Sequence, residues 1–347
     1  MLAEHGIIAY HWSGMSEESM NSLVDAYGRV HTYLRIAVTD RCNLRCVYCM
    51  PEQGIPWRPR EEILTLEELL RVARVCASLG VRKVRLTGGE PTLRRGIEKL
   101  VGWLAALPDI DTAALTTNGV LLGEMARTLR DAGLTHLNIS LDTLRPERFA
   151  RIGRRDDFAR VLTGIDAAIA AGFPSLKLNV VVLAGLNDDE LPDFVEFVRE
   201  RPINIRFIEE MPMPGNGWEG WGRFPAQEMK ARIGQHYPLV LVEDADPKAV
   251  AADYRIDGIR GTISFITPLS EAFCARCSRL RLTADGSIKS CLFHPAEVNL
   301  RHALRTGATD EELITLIRAA IALKPEAHPP AEELAAANHR FMSDIGG

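Results

Sequence analysis

The stretch TLEELLRVARVCASLGVRKVRLTGGEP, Thr65–Pro91, reads as one helix, one strand and a glycine turn. Leu66, Leu69, Leu70, Ala73, Cys76 and Ala77 recur at helical spacing, so one face is apolar. Thr65 with Glu68 fits a capping box at the start, and Gly80 fits a C-terminal stop. Lys83–Thr87 is then a short strand, closed by Gly88-Gly89-Glu90-Pro91.

The same unit repeats on both sides. Leu34–Val38, Ala113–Thr117, Leu137–Leu141, Leu178–Leu183 and Ile205–Ile208 are short and mostly apolar, as parallel strands covered on both faces require. Amphipathic stretches separate them, one marked by Leu191, Phe194, Val195 and Val198. Six such units predict an α/β chain built on an incomplete parallel (β/α)6 barrel, because a closed one takes eight. After Met211 the rhythm stops at the turn-rich run MPMPGNGW, Met211–Trp218. The chain beyond that run reads as a smaller C-terminal domain with a helical end over Glu311–Leu323. The expected organisation is an extension over 1–30, the partial barrel over 31–215 and the C-terminal domain over 216–347.

With 46% apolar and 25% charged residues, the 347-residue chain has ample material for a core. A net charge of -5 gives no reason to expect nucleic acid or an anionic membrane as partner. Any anionic substrate must therefore meet a local basic cluster. No apolar run approaches the ~20 residues of a membrane span. Glu4 precedes the short run Ile7–Tyr10 without a basic leader, so the expected location is the cytoplasm. The seven cysteines are clustered: Cys42, Cys46 and Cys49, then Cys274, Cys277 and Cys291, with Cys76 alone. Disulfide frameworks belong to small domains of oxidising compartments, so metal binding is the better reading.

The first group follows the first strand, at the strand end where parallel barrels carry their chemistry. Thiolates suit iron–sulfur clusters or zinc. A structural zinc needs a fourth protein ligand, and none lies close by. A 4Fe–4S cluster normally takes four cysteines, so three would leave one iron open to another ligand. The run DRCNLRCVYCMP, Asp40–Pro51, resembles the signature of the radical S-adenosylmethionine superfamily, including the aromatic residue before the last cysteine. The resemblance implies that Cys42, Cys46 and Cys49 hold a 4Fe–4S cluster whose open iron chelates S-adenosylmethionine. Reduction then releases a 5'-deoxyadenosyl radical.

Gly88 and Gly89 let the backbone approach a ligand closely, although a plain strand-to-helix turn uses glycines too. Beside the cysteines, the segment is similar to the superfamily's glycine–glycine–glutamate run, which contacts the methionine amino group. Thr116-Thr117-Asn118, Ser140-Leu141-Asp142, Lys177, Asn179, Glu209, Glu210 and Met211 place polar groups at the other strand ends. Singly, each is more often a cap or turn residue than a ligand. By resemblance, Tyr48, Gly89, Ser140 and Met211 match positions that contact the cofactor.

The second group, Cys274-x2-Cys277-x13-Cys291, has His294 close behind, and its spacing alone fits a Cys3His zinc site. The surrounding run FCARCSRLRLTADG, Phe273–Gly286, with Cys291-Leu292-Phe293, resembles the auxiliary-cluster segment of the GTP 3',8-cyclase family. That family holds a second 4Fe–4S cluster on three cysteines there, and its open iron binds the guanine. Arg279 and Arg281 alternate about Leu280 and would share one face of a strand. Arginine forks suit phosphate oxygens, and Arg35 and Arg85 sit inside otherwise apolar strands, where solvent exposure explains them poorly. By resemblance, Arg35, Arg85, Thr116, Lys177, Arg279, Leu280 and Arg281 contact GTP.

The match runs from about Tyr27 to the Gly346-Gly347 ending, a tail that in the family reaches toward the active site and whose plain alternative is a frayed terminus. Ser278 stands where many members have asparagine, and residues 1–26 have the look of an added leader. The resemblance implies hydrogen abstraction from C3' of GTP, attack of the carbon radical on C8 and an electron from the auxiliary cluster. The product is 3',8-cyclo-7,8-dihydroguanosine triphosphate, the first intermediate of molybdopterin synthesis. It further implies a cytosolic electron donor and cyclic pyranopterin monophosphate synthase as product acceptor, with a homodimer as an open assembly. Two rivals stand beside it: a radical enzyme acting on a peptide, and a zinc-stabilised binding module without catalysis.

Overall fold

The computed structural model describes residues 22–213, 223–242, 251–295, 297–337 and 340–346. Residues 1–21 of the expected extension, 214–218 of the turn-rich run and Gly347 of the tail lie outside the described residues. Six parallel strands follow one another as the repeat predicts: β1 Tyr33–Ala37, β2 Lys83–Thr87, β3 Thr112–Thr117, β4 His136–Ser140, β5 Ser175–Val182 and β6 Asn204–Glu209. The helix between β1 and β2, α1 Leu66–Ser78, carries the expected capping box at Thr65 and Glu68. Its apolar face buries Leu69, Val72, Ala73 and Cys76 completely, so the solitary cysteine is a core residue.

The chain after residue 215 does more than pack against this barrel. It adds β7 Val240–Leu241, β8 Ala251–Arg255, β9 Thr262–Ile266, β10 Arg279–Leu282, β11 Ser287–Lys289 and β12 Val298–Asn299. β9 joins β6 and β10 joins β1, both in parallel, while the outer strands continue each edge in antiparallel pairing. The sheet runs β12-β11-β10-β1-β2-β3-β4-β5-β6-β9-β8-β7 and stays open, as an incomplete barrel should.

Side-chain alternation separates the core from the site. Leu34, Val84 and Leu280 lie in register on adjacent strands and are fully buried in the main apolar core. Each such leucine contributes roughly 1.5–3 kcal/mol by leaving water. The intervening residues Tyr33, Arg35, Lys83, Arg85, Arg279 and Arg281 turn to the other face and line a cavity. The strands are therefore apolar on one face only, and the inner face is built for a polar ligand.

Candidate active site

The first cysteine loop lies across the ends of β1, β2 and β3. Its backbone is held by Arg45 N–H to Gly153 O at 2.9 Å and Val47 N–H to Ile152 O at 3.0 Å. The glycine turn after β2 fits beneath it: Gly89 N–H donates to Thr39 O at 2.8 Å and Glu90 N–H to Arg41 O at 2.7 Å. A Cβ on Gly89 would stand 2.2 Å from Arg41 O, so this approach requires glycine. Glu90 is 1% exposed and accepts from Thr117 Oγ1 at 2.7 Å and Asn118 N–H at 2.7 Å. Its carboxylate fixes the end of β3 to the turn.

Tyr48, Gly89, Ser140 and Met211 line one cavity of about 200 Å³ with Cys42, Cys46 and Cys49. Tyr48 Oη donates to Asp142 Oδ2 at 2.7 Å, and Asp142 Oδ1 accepts from Val181 N–H at 2.9 Å. Burial raises the Asp142 carboxyl to about 6. Burial also pushes the thiols up, Cys42 to about 11 with the Glu90 charge adding, and Cys49 to about 12 with Cys42 adding. Cys46 is raised further by burial and by Asp142. These thiols keep their protons in the absence of metal, and a bound soft cation such as iron would displace them. The donor set fits a 4Fe–4S cluster.

The adjoining cavity, about 510 Å³, shares Thr116, Asn179, Ile208, Met211 and Met342 with the first. It holds Arg35, Arg85, Lys177, Arg279 and Arg281 together with Cys274, Cys277 and Cys291. Arg281, Arg35 and Arg85 stand in register across β10, β1 and β2. Arg85 is secured by Tyr33 Oη at 2.7 Å, Leu115 O at 3.0 Å and Thr116 Oγ1 at 3.2 Å. The Nε atoms of Arg279 and Arg281 are buried without a hydrogen-bond partner, as are Asn138 Oδ1 and Asn179 Oδ1. Orphaned donors and acceptors at one cavity call for a polar ligand. Leu280 is the exception among the expected substrate residues: its side chain is in the core, which leaves only its backbone to meet a ligand.

Burial and mutual repulsion weaken the cationic forms here. Arg35 falls to about 10 through burial, opposed by Tyr33 and reinforced by Arg85 and Arg279. Arg281 falls to about 9 through burial, Arg279 and Arg35. Lys177 falls to about 8 through burial and Arg206. For Tyr33, burial opposes ionisation, but Arg85, Arg35 and Lys83 outweigh it and bring the phenol to about 7. An anionic ligand would relieve this repulsion.

Around the second triad, Cys277 is drawn down to about 6: burial opposes the thiolate, and Arg279 and Lys324 overcome it. His294 does not line the cavity that the three cysteines share; its carbonyl accepts from Lys289 Nζ at 2.8 Å. Among the described residues no three His, Cys, Asp or Glu side chains gather for a single ion. Three thiols on one cavity, with His294 outside it, are a soft donor set of the kind that iron–sulfur clusters take. The Gly346 carbonyl accepts from Arg35 Nε at 3.2 Å, which ties the end of the chain to one residue that lines the cavity. Sequence reasoning missed Lys83 and Arg206, both lining this basic cavity. Period-two alternation was the available signal, Lys83 with Arg85 and Arg206 between Ile205 and Phe207.

Residues 36–198 match the radical SAM superfamily, and residues 203–330 match Molybdenum Cofactor Synthesis C. The GTP 3',8-cyclase of Moorella thermoacetica is 48% identical over 323 residues, covering 93% of this chain and 99% of that protein. The mitochondrial GTP 3',8-cyclase of Arabidopsis thaliana is 46% identical over 325 residues, 94% of this chain and 83% of that protein. Among solved structures, Streptococcus suis SuiB bound to S-adenosylmethionine superposes with a TM-score of 0.59 at 16% identity, over 86% of this chain and 69% of that one. That likeness concerns the fold. No helix among the described residues is long and apolar enough to cross a membrane.

Proposed function

The chain belongs to the GTP 3',8-cyclase family of molybdenum-cofactor biosynthesis, and from that premise we propose how its residues divide the work. Cys42, Cys46 and Cys49 hold a 4Fe–4S cluster, with Tyr48, Gly89, Ser140 and Met211 around S-adenosylmethionine. When bound there, the cluster and S-adenosylmethionine would supply 5'-deoxyadenosyl radical chemistry toward C3' of GTP. Arg35, Arg85, Lys177, Arg279 and Arg281 hold the triphosphate, joined by Lys83 and Arg206, and Thr116 lies where the two cavities meet. Cys274, Cys277 and Cys291 hold a second 4Fe–4S cluster at the guanine end. In this division residues 31–215 serve the cofactor and carry most of the triphosphate cations, and 216–347 complete the substrate site. The protein's part is to orient C3' toward the sulfonium and to exclude water that would quench a radical. The reading also calls for a one-electron donor protein and for cyclic pyranopterin monophosphate synthase to take the product.

The observation that carries the reading is the adjacency of the two cavities, each with its own cysteine triad and with five lining residues in common. A peptide substrate would not explain the row of arginines on β10, β1 and β2. Anaerobic incubation with GTP, S-adenosylmethionine and dithionite tests it, with products read by mass spectrometry. The expected product is 3',8-cyclo-7,8-dihydroguanosine triphosphate with 5'-deoxyadenosine. Release of 5'-deoxyadenosine with GTP left unchanged would sink the substrate assignment.

A further inference from the structure

The second triad is held by a strap distant from it in sequence. Lys324 lies just past the helix Asp310–Ala322 and is 5% exposed. Its ammonium donates to Cys277 Sγ at 3.5 Å, Arg279 O at 3.1 Å and Ser290 O at 2.6 Å. Ser290 precedes Cys291, so one cation joins both arms of the triad. The next two residues are tied to the third cysteine: Arg29 donates to Pro325 O at 2.6 Å, Glu326 O at 2.7 Å and Cys274 O at 2.9 Å. Arg29 is itself held by Asp25 Oδ2 at 2.6 Å. Residues 324–326 therefore reach all three cysteines directly or through one neighbour.

A buried ammonium is costly unless an anion accompanies it. The hydrogen-bond partners of Lys324 are a sulfur and two carbonyls, with no carboxylate among them. Arg279 and Arg281 line the same cavity, which makes the position worse for a cation. Thiolates bound to a cluster would supply the missing negative charge. Donors to ligating sulfurs and nearby positive charge also favour the reduced, more negative state of such a cluster.

We propose that Lys324 is the positioning residue of the second triad: it holds the segments that carry Cys277 and Cys291 together and raises the reduction potential of a 4Fe–4S cluster bound there. This rests on the iron–sulfur reading of the triad. The test compares wild-type protein, K324M and K324R, each reconstituted anaerobically. Iron is counted, its loss to bathophenanthroline is timed, and the second cluster is titrated electrochemically with EPR detection. K324M should lose the second cluster about tenfold faster or more, and its midpoint should move to a more negative potential. K324R retains the charge but offers its donors from a flat fork. It should stay near the wild-type midpoint while losing iron faster than wild type. The EPR signal of the first cluster with S-adenosylmethionine bound reports folding. K324M with wild-type iron retention and midpoint overturns the proposal. If K324M loses both clusters, K324R decides, and wild-type chelator resistance in it is the overturning result. Wild-type protein with about four irons rather than about eight sinks the iron–sulfur reading itself, independently of any variant.

Discussion

Gly89 acts through its backbone, and that makes its role testable apart from any ligand. An added Cβ would meet Arg41 O at 2.2 Å and Asp40 O at 2.8 Å, both main-chain atoms of the loop leading to Cys42. Overpacking of this kind costs about 1–3 kcal/mol. Gly89→Ala should therefore lower iron at the first triad and weaken S-adenosylmethionine, seen by iron assay and equilibrium binding. Gly234 ends a helix with nothing within 4 Å, so Gly234→Ala should leave both unchanged. Arg281→Ala removes a guanidinium from the arginine-lined cavity and leaves the lining of the other unchanged. It should weaken GTP by roughly tenfold or more, as loss of one charge-assisted bond implies, and leave S-adenosylmethionine unaffected. Equal weakening of both ligands would make Arg281 structural. At this scale the sequence was readable where a charge sat inside an otherwise apolar strand, as at Arg35, Arg85, Arg279 and Arg281, while Lys83 at the start of its strand passed as a boundary residue. Arg206 looks like any solvated side chain until its strand has neighbours.

Among the elements, the strands β1 to β6 and α1 were legible because local periodicity and caps determine them. The placement of β9 and β10 at the two open edges was not. Parallel pairing between β1 and a strand nearly 250 residues later leaves no local mark. What ties that later region down is Glu209, 4% exposed at the end of β6. Its carboxylate accepts from Ala226 N–H at 2.9 Å, Leu269 N–H at 3.2 Å and Ser270 N–H at 3.1 Å, and from the Ser270 hydroxyl. It thus caps one helix and anchors the loop that leads to Cys274. Glu209→Ala orphans several donors, each worth about 1–3 kcal/mol when buried. The variant should lose about 3 kcal/mol in urea unfolding and shed iron from the second triad before the first. Unchanged stability would show that water replaces the carboxylate at no cost.

The whole molecule is acidic, with a net charge of -5, yet one cavity of about 510 Å³ gathers Arg35, Lys83, Arg85, Lys177, Arg206, Arg279 and Arg281. Asp111, Asp253 and Glu326 also line it but do not balance that set. Such a field is built for a polyanion, and it should make GTP affinity depend on pH in a definite direction. Lys177 has its folded value lowered to about 8 by burial and Arg206, so its charge is present below that pH and lost above it. A bound triphosphate favours the ammonium and returns its value upward, so affinity falls as pH rises through about 8. Tyr33 acts in the same sense one step lower. Above about 7 its phenolate neutralises Arg85 and Arg35, and a triphosphate nearby opposes that ionisation. GTP dissociation constants should therefore rise between about pH 7 and pH 9, at most about tenfold per unit for each proton linked. Tyr33→Phe should flatten the lower half of that rise and Lys177→Met the upper half. Isothermal titration in buffers of different ionisation enthalpy should show proton uptake with GTP in the wild type near pH 8. Affinity constant from pH 7 to 9, with no proton uptake, would mean that these two groups do not face the triphosphate.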